Sequence, residues 1–276
     1  MYLRLCDLSP VSNVEDYAFM PFKSYFDGGN KADSTQYDVL TLAVMSGSAQ
    51  HWKDFEDRWR KVLRAHGANW LHTTDAVSLQ DEYKGWTKRR VNEFITDCTE
   101  VIERCAAQRT GRKITYWGIR PATITVVLND YKRAMNHFPN LGAVEQLCAV
   151  QAAVCAMTYG RAKGFVKFQF FFDQNEPFYG HIRDRMVNKR SVQSSPDWKH
   201  VVTAEANMRD VPALQAADLM AWSVSRKNDT RHDWQKRVLA IDRDQQWVDY
   251  STLLTADADA LARIESFRLP PRRQMK

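Results

Sequence analysis

Phe168-Gln169-Phe170-Phe171-Phe172-Asp173 is the stretch of the sequence that decides the fold. The run is too short for a helix and too apolar for a surface strand, so it predicts a central strand covered on both faces. Asp173 is the first charged residue after the run. Because open α/β sheets bind ligands outside the carboxyl ends of their strands, we expect Asp173 to lie at a functional edge of the sheet.

The composition is that of a globular protein with a mild positive charge. Of its 276 residues 44% are hydrophobic, and the net charge is +6 with a pI near 9.0. This charge suits a polyanionic partner such as nucleic acid but does not establish one. The five cysteines include no CxxC pair, and from the sequence we expect neither a signal peptide nor a membrane-spanning run. We therefore expect a cytoplasmic protein.

The remaining pattern alternates between predicted strands and helices. Two strands at 23–27 and 37–45 are expected to form a hairpin, and amphipathic helices at 50–66 and 87–108 are expected to cover the sheet. The other predicted elements are β-rich segments at 113–119 and 122–129, helices at 141–160, 180–189, 211–223 and 255–267, and a possible strand at 198–204. We expect one α/β domain over residues 1–276, with a core at about 22–228, an N-terminal arm at 1–21 and a charged, helical C-terminal tail at 229–276.

A second aspartate ends a predicted strand. Asp27 follows the strand at 23–27, just as Asp173 follows the aromatic run. Turns also favour aspartate at such positions, so Asp27 taken alone is equally open to a turn role. The acids in the predicted helices bear on whether Asp27 has a functional role or a turn role.

Asp218 lies in the apolar sequence VPALQAADLMAW at 211–222. Between the proline and the end of that sequence, Gln215 is the only other polar side chain. An acid in this setting either faces water along a narrow stripe or is buried with a partner. We favour the partnered interpretation.

A glutamate near the start of the helix at 141–160 admits two interpretations. Glu145 precedes a face of small side chains, which would let the helix approach the sheet closely. Alternatively, Gly142 is the N-cap residue and Glu145 is a capping glutamate at the third helical position, favoured by the helix dipole. The sequence leaves both interpretations open.

Four carboxylates in the order strand, helix, strand, helix predict a metal site. They are Asp27, Glu145, Asp173 and Asp218. Acids brought to one edge repel one another and are driven to protonate unless a cation compensates their charge. Mg²⁺ and Mn²⁺ prefer oxygen ligands, and two such ions can support hydrolysis of a phosphodiester. The sequence has no cysteine or histidine cluster, which argues against zinc.

This order of acids resembles the ribonuclease H-like superfamily. More narrowly, three segments resemble the bacterial and phage family called domain of unknown function 3800, and the resemblance spans about residues 22–228. The segments are SYFDGGN at 24–30, FFFDQNE at 170–176 and VPALQAADLMAWSVSR at 211–226. The resemblance implies an α/β fold with a ribonuclease H-like mixed sheet flanked by helices, to which we add a helical insertion. It also implies a metal-dependent nuclease with the four acids as catalytic metal ligands.

The chain departs from the family pattern after its first aspartate. The family usually has an acid and then Ser-Gly there, whereas this sequence has Gly-Gly-Asn at 28–30, so the second acid is missing. His72, in the sequence LHTTD, resembles a histidine of the family, and an ordinary loop histidine is the alternative. Gln215 is a candidate for supporting the ligands, and Glu176 is a reserve ligand if Glu145 proves to be a cap.

A basic segment at 181–190 follows Asp173 and contains candidate phosphate contacts. These are Arg183, Arg185, Lys189 and Arg190. A solvated helix face is the alternative.

Taken together, these features predict a nuclease that hydrolyses RNA or DNA with one or two Mg²⁺ or Mn²⁺ ions. The rivals are a non-catalytic module that binds nucleic acid or protein on the same scaffold, and a strand-transfer enzyme.

Overall fold

The computed structural model describes residues 20–29, 38–106, 109–110, 113–114, 118–137, 143–174, 176–187, 196–241 and 246–248. Over these residues the chain forms an α/β fold in which a mixed sheet is flanked by helices. Its strands are β1 (Phe22–Gly29), β2 (Val39–Gly47), β3 (Arg109–Thr110), β4 (Lys113–Ile114), β5 (Arg120–Val127), β6 (Phe168–Asp173), β7 (Val201–Ala206) and β8 (Gln246–Val248).

Six of these strands form the main sheet, in the order β7-β6-β1-β2-β5-β8, and β3 pairs only with β4. β2 is antiparallel to both β1 and β5. β1, β6 and β7 run parallel to one another, as do β5 and β8. The carboxyl ends of β1, β6 and β7 therefore lie at one edge of the sheet.

Eight α-helices are found in the described residues. They are α1 (Ala49–His66), α2 (Thr73–Ser78), α3 (Lys88–Cys105), α4 (Leu128–His137), α5 (Val144–Arg161), α6 (Pro177–Val187), α7 (Pro212–Ser225) and α8 (Asp233–Ile241). α1 begins at a serine N-cap and ends at Gly67, which adopts the left-handed conformation that glycine accepts without strain. In this part of the chain no helix is long and apolar enough to cross a membrane.

The two faces of the sheet have separate cores. On one face, Tyr25 and Met45 pack with the apolar sides of α1 and α3 and with α7. On the other face, Phe22 and Phe26 pack with α5 and with the phenylalanines of β6. All fourteen residues of α7 are buried. The periodic apolar residues in α1 and α3 explain why each helix covers the sheet with one face and exposes the other.

The predicted hairpin and the helices at 50–66 and 211–223 are confirmed within a few residues. The strand at 122–129 extends from Arg120 to Val127, so its predicted end belongs to α4. Pro121 is accommodated within β5 because β8 pairs only farther along, at Ile124 to Val126. The strand predicted at 198–204 begins later, after a short 3₁₀ turn, and the helix predicted at 180–189 begins earlier, after Glu176.

The prediction that β6 is a central strand with cover on both faces is confirmed, but the cover is unequal. β6 is an interior strand, between β7 and β1, but its burial alternates. Phe168, Phe170 and Phe172 are buried under α5, whereas Gln169 and Phe171 are only partly buried. The helix at 255–267, the arm before residue 20 and most of the tail lie outside the described residues.

Candidate functional site

Asp27 and Asp173 lie side by side at the edge where β1 and β6 end. The register pairs Tyr25 with Phe171 and Phe26 with Phe172, so the two aspartates are the next residues of two neighbouring parallel strands. The Tyr25 and Phe171 rings stack with centroids 4.8 Å apart on the face covered by α7. Because side chains alternate along a strand, Asp27 and Asp173 point to this same face.

The two glycines after Asp27 allow close packing on both sides of β1. A Cβ on Gly29 would lie 2.7 Å from the carbonyl oxygen of Ala221 in α7. A Cβ on Gly28 would lie 2.6 Å from the ring of Phe178 and 3.0 Å from Oε1 of Glu176. A side chain at Gly29 would therefore collide with the backbone of α7, and one at Gly28 would displace the Phe178 ring and the Glu176 carboxylate.

Asp218 joins the two strand aspartates from α7. Its side chain is 7% exposed, and its Oδ2 accepts a hydrogen bond of 2.6 Å from the backbone N–H of Thr73. Pro212 lies in the first turn of α7, where its missing N–H costs no helical hydrogen bond. The sequence-based expectation that Asp218 is buried with a partner is met by this backbone donor.

The charges of these acids act on one another. Burial raises the pKa of Asp27 well above its usual range, and the negative charges of Asp218, Glu176 and Asp173 raise it further. The backbone N–H of Gly28 opposes this rise only in part. The structure therefore brings three acids close to Asp27: the predicted ligands Asp173 and Asp218, and the reserve ligand Glu176.

Asp218 is better compensated than Asp27. Burial raises the pKa of Asp218, but the positive charge of His72, the hydrogen bond from Thr73 and the charge of Arg226 oppose the rise. The imidazole of His72 in turn hydrogen-bonds Asp75 through Nδ1 at 2.6 Å. Burial lowers the pKa of His72, yet the surrounding carboxylates outweigh burial and raise it overall.

Gln215 connects the two loops that hold the acids. Its Oε1 accepts hydrogen bonds from the indole N–H of Trp59 at 2.8 Å and from the backbone N–H of Leu71 at 3.0 Å. Its Nε2 donates to the backbone carbonyls of Met208, at 2.9 Å, and Arg209, at 3.4 Å. The backbone N–H of Met208 donates to Oδ1 of Asp173 at 2.8 Å.

Glu145 lies on the opposite face of the sheet from α7. It is the second residue of α5, whose N-cap is Ala143 rather than the predicted Gly142, and it lies in the first turn, where the helix dipole favours an acid. Burial and the charge of Glu145 together raise the pKa of Tyr131 to about 12. A metal-ligand role for Glu145 stays a prediction.

Glu176 occupies the turn between β6 and α6. Its backbone N–H donates to the carbonyl of Asp173 at 3.2 Å, and its carboxylate lies near Gly28, directly after Asp27. Arg183 is exposed on α6, with its guanidinium 5.8 Å from the ring centroid of Tyr179. The side chain of Arg185 and all of Lys189 and Arg190 lie outside the described residues.

All of these acids supply carboxylate oxygens, which are the ligands that a hard cation prefers. In the part of the chain that the structure describes, no three histidine, cysteine, aspartate or glutamate side chains are arranged as a ready set of metal ligands. The donor chemistry therefore fits Mg²⁺ or Mn²⁺, although the described side chains do not form a ready set of ligands.

Sequence reasoning missed the donors that fix the carboxylates. The backbone N–H groups of Thr73 and Met208 carry no side-chain signal, and the residues around Thr73 have no helical period that would have indicated α2. Gln215 did carry a signal, because it was the single amide in an apolar helix.

Comparisons with known proteins do not assign this arrangement to a family. No family model matches the chain, and no curated protein is significantly similar to it. Among solved structures, one chain of the PCNA:RNase HII complex from Archaeoglobus fulgidus is similar at 13% sequence identity with a TM-score of 0.37. The comparison covers 92% of this chain and 96% of that chain. Similarity at this level identifies neither a family nor an activity.

Proposed function

We propose that the chain is a divalent-metal-dependent nuclease with a ribonuclease H-like sheet, which hydrolyses phosphodiester bonds of nucleic acid. The observation that carries the proposal is the meeting of Asp27, Asp173 and Asp218 on one face at one edge of the sheet, with Glu176 beside them. Negative charge gathered around a buried carboxylate is costly unless a cation accompanies it. Mg²⁺ and Mn²⁺ are the cations whose preferred ligands these are.

Asp27, Asp173 and Asp218 are the residues that would hold the metal. The backbone N–H of Thr73 binds one oxygen of Asp218, and the backbone N–H of Met208 binds one oxygen of Asp173. These bonds orient the two carboxylates and leave the second oxygen of each outside the bond. A metal of this class, when bound, lowers the pKa of a water molecule and stabilises the leaving oxygen of a phosphodiester.

Basic groups beside the acids support nucleic acid as the substrate. Arg226 acts on Asp218 electrostatically and lies over the ring of Trp222, 4.5 Å from its centroid. Arg209 follows Met208 directly and keeps 62% of its side chain exposed. With a net charge of +6, the chain can attract a polyanion toward an edge that is itself acidic.

Cleavage assays on purified variants test the proposal. Wild-type protein, Asp27→Asn, Asp173→Asn and the control Asp57→Asn are incubated with single- and double-stranded DNA and RNA, in Mn²⁺ or in EDTA. Asp57 is an exposed acid on α1, so its substitution removes the same charge away from the site. We expect cleavage that EDTA stops and that either site variant lowers by about 10²- to 10³-fold, corresponding to a few kcal/mol of transition-state stabilisation. Retention of cleavage by both folded site variants would rule the proposal out.

A second function, binding of nucleic acid without cleavage, is favoured by one observation. The described acids do not already form a set of metal ligands. Calorimetric titration with Mn²⁺ separates the two functions. Uptake of Mn²⁺ that is lost in Asp173→Asn supports the nuclease, whereas wild-type protein that takes up no Mn²⁺ supports the binding module.

A further inference from the structure

Three side chains next to the acids, two aromatic rings and a guanidinium, contact one another in a row that the proposed chemistry does not use. The rings of Trp70 and His72 are parallel within 2°, with centroids 5.6 Å apart. The guanidinium carbon of Arg209 lies 4.8 Å from the centroid of the Trp70 ring. We call Trp70, His72 and Arg209 the cationic stack.

The cationic stack is built on the same two backbone segments that hold the carboxylates. His72 precedes Thr73, whose N–H binds Asp218, and Arg209 follows Met208, whose N–H binds Asp173. The stack therefore begins at the acids and extends to solvent at Arg209. His72 and Arg209 are thus each one residue from a backbone N–H that binds one of these carboxylates.

The position of Arg209 is not explained by an ion pair that stabilises the fold. Its nearest carboxylate contact is with Asp81, at 3.5 Å, and the two side chains are 62% and 51% exposed. An ion pair as exposed as this contributes little to stability. Trp70 is half-buried, and its backbone carbonyl accepts a hydrogen bond from the hydroxyl of Tyr83. Among the described residues, its indole N–H donates no hydrogen bond.

An exposed guanidinium plane over an aromatic ring matches the chemistry of nucleobases. Bases of single strands stack on aromatic rings and on arginine planes, and cation–π attraction adds to the contact. The phosphate of the same nucleotide can pair with the positive charge of the guanidinium. Duplex nucleic acid keeps its bases stacked internally and offers no free face, so a single strand is the ligand that fits.

We propose that the cationic stack holds an unpaired base of a single-stranded substrate beside the phosphodiester at the acids. This inference rests on the proposed function for the identity of the site, and it adds the substrate class. Base stacking of this kind is expected to change affinity by about 5- to 150-fold per base.

Binding of two oligonucleotides in EDTA tests the proposal without any cleavage. Fluorescence anisotropy is measured with a labelled oligo-dT and with an abasic oligomer of the same length, which keeps the phosphates but lacks bases. We expect wild-type protein to bind oligo-dT at least about fivefold more tightly than the abasic oligomer. Arg209→Lys keeps the positive charge but loses the planar guanidinium group, so we expect it to reduce this preference. We expect Trp70→Leu and Trp70→Ala to reduce it as well.

The matched control is Arg90→Lys. Arg90 also lies over an indole ring, 3.6 Å from the centroid of Trp86, but it is on α3 and contacts none of the acids. We expect it to leave the preference for oligo-dT unchanged. Because Arg209 is exposed, Arg209→Lys keeps the test valid even if the Trp70 variants do not fold.

Equal wild-type affinity for the two oligomers would overturn the proposal, as would equal preferences in Arg209→Lys and Arg90→Lys. This result is independent of nuclease activity. If the protein cleaves nucleic acid but shows no preference for bases, the cationic stack is structural and the proposed nuclease stands. If it prefers bases through the stack but never cleaves, the base-binding role stands and the nuclease falls.

Discussion

Asp27 and Asp173 end neighbouring parallel strands, yet their surroundings differ sharply. Asp27 is 5% exposed, and burial together with three other acids raises its pKa well above the usual range. Asp173 is only partly buried and accepts the backbone N–H of Met208 at 2.8 Å. The difference shows that a similar sequence pattern, aromatic residues followed by an aspartate, gives one acid that is buried among like charges and one that a loop holds in place.

Removal of the Gln215 amide tests the Asp173 side of this comparison and is expected to have the largest effect. Gln215→Leu leaves the indole N–H of Trp59, the N–H of Leu71 and the carbonyl of Met208 without their partner. We expect the free energy of unfolding to fall by about 2–4 kcal/mol in denaturant titration, since each buried unpaired group costs about 1–3 kcal/mol.

Gln235→Leu is the matched control for that substitution. Gln235 is equally buried, but it lies in α8, donates to the carbonyls of Ser223 and Arg226, and leaves its own Oε1 unpaired among the described residues. Hydrogen exchange at the N–H of Met208 should accelerate in Gln215→Leu and not in Gln235→Leu. Equal exchange in the two variants would show that Gln215 does not hold this loop.

Glu176→Gln sharpens the comparison on the Asp27 side. Glu176 is among the acids that raise the pKa of Asp27, whereas Glu145 acts on Tyr131 beneath the opposite face. In the Mn²⁺ cleavage assay we expect Glu176→Gln to lower the rate by about 10- to 100-fold, as for groups that support metal ligands. We expect Glu145→Gln to have a smaller effect, and the reverse order would restore Glu145 as the ligand.

When no metal is present, removing the charge of Asp27 and removing the charge of Asp173 should change the stability of the protein in opposite directions. Asp27→Asn removes a buried charge from among like charges, and we expect it to raise the free energy of unfolding by about 1 kcal/mol or more. Asp173→Ala removes the acceptor for the N–H of Met208, and we expect a loss of about 1 kcal/mol. Thermal unfolding in EDTA at pH 7.5 measures both, with shifts of about 2–4 °C per kcal/mol for a domain of this size. Shifts of the same sign would break the comparison.

The smallest expected effect is the pH dependence of the gain in Asp27→Asn. Because burial and the neighbouring acids raise the folded-state pKa of Asp27, folding favours its protonated form. This contribution is fully present below the ordinary pKa near 3.8 and is lost as the pH rises toward the raised value. The difference in melting temperature between Asp27→Asn and wild type should therefore be near zero at about pH 4 and grow toward neutral pH. A difference that does not change with pH would show that Asp27 titrates normally.

The sequence was sufficient to predict three central strands and the two acids that end strands. Short apolar runs bounded by turn residues identified β1, β2 and β6, and the acids at the ends of two of these runs are Asp27 and Asp173. An acid within the wholly apolar sequence of α7 indicated that Asp218 is buried with a partner. These predictions succeeded because local pattern reports burial directly.

The sequence did not reveal which groups meet Asp27 in space. Whether Glu145 or Glu176 approaches it depends on the face that α5 covers and on the turn after β6, which are set by tertiary packing. The backbone donors at Thr73 and Met208 are invisible to residue type. α4 and β8 were missed, and α8 was expected only as part of a helical tail. Gly28 and Gly29 were taken as a lost acid, although a side chain at Gly29 would collide with the backbone of α7 and one at Gly28 with the Phe178 ring.

A crystal soaked in Mn²⁺, with anomalous scattering measured at the manganese edge, tests the central claim most directly. We predict an anomalous peak between the carboxylates of Asp27 and Asp173, within reach of Asp218, and no peak in crystals of Asp27→Asn. Density from Mn²⁺ elsewhere on the protein, or none at all in well-diffracting wild-type crystals, would contradict the claim that these acids gather to hold a cation.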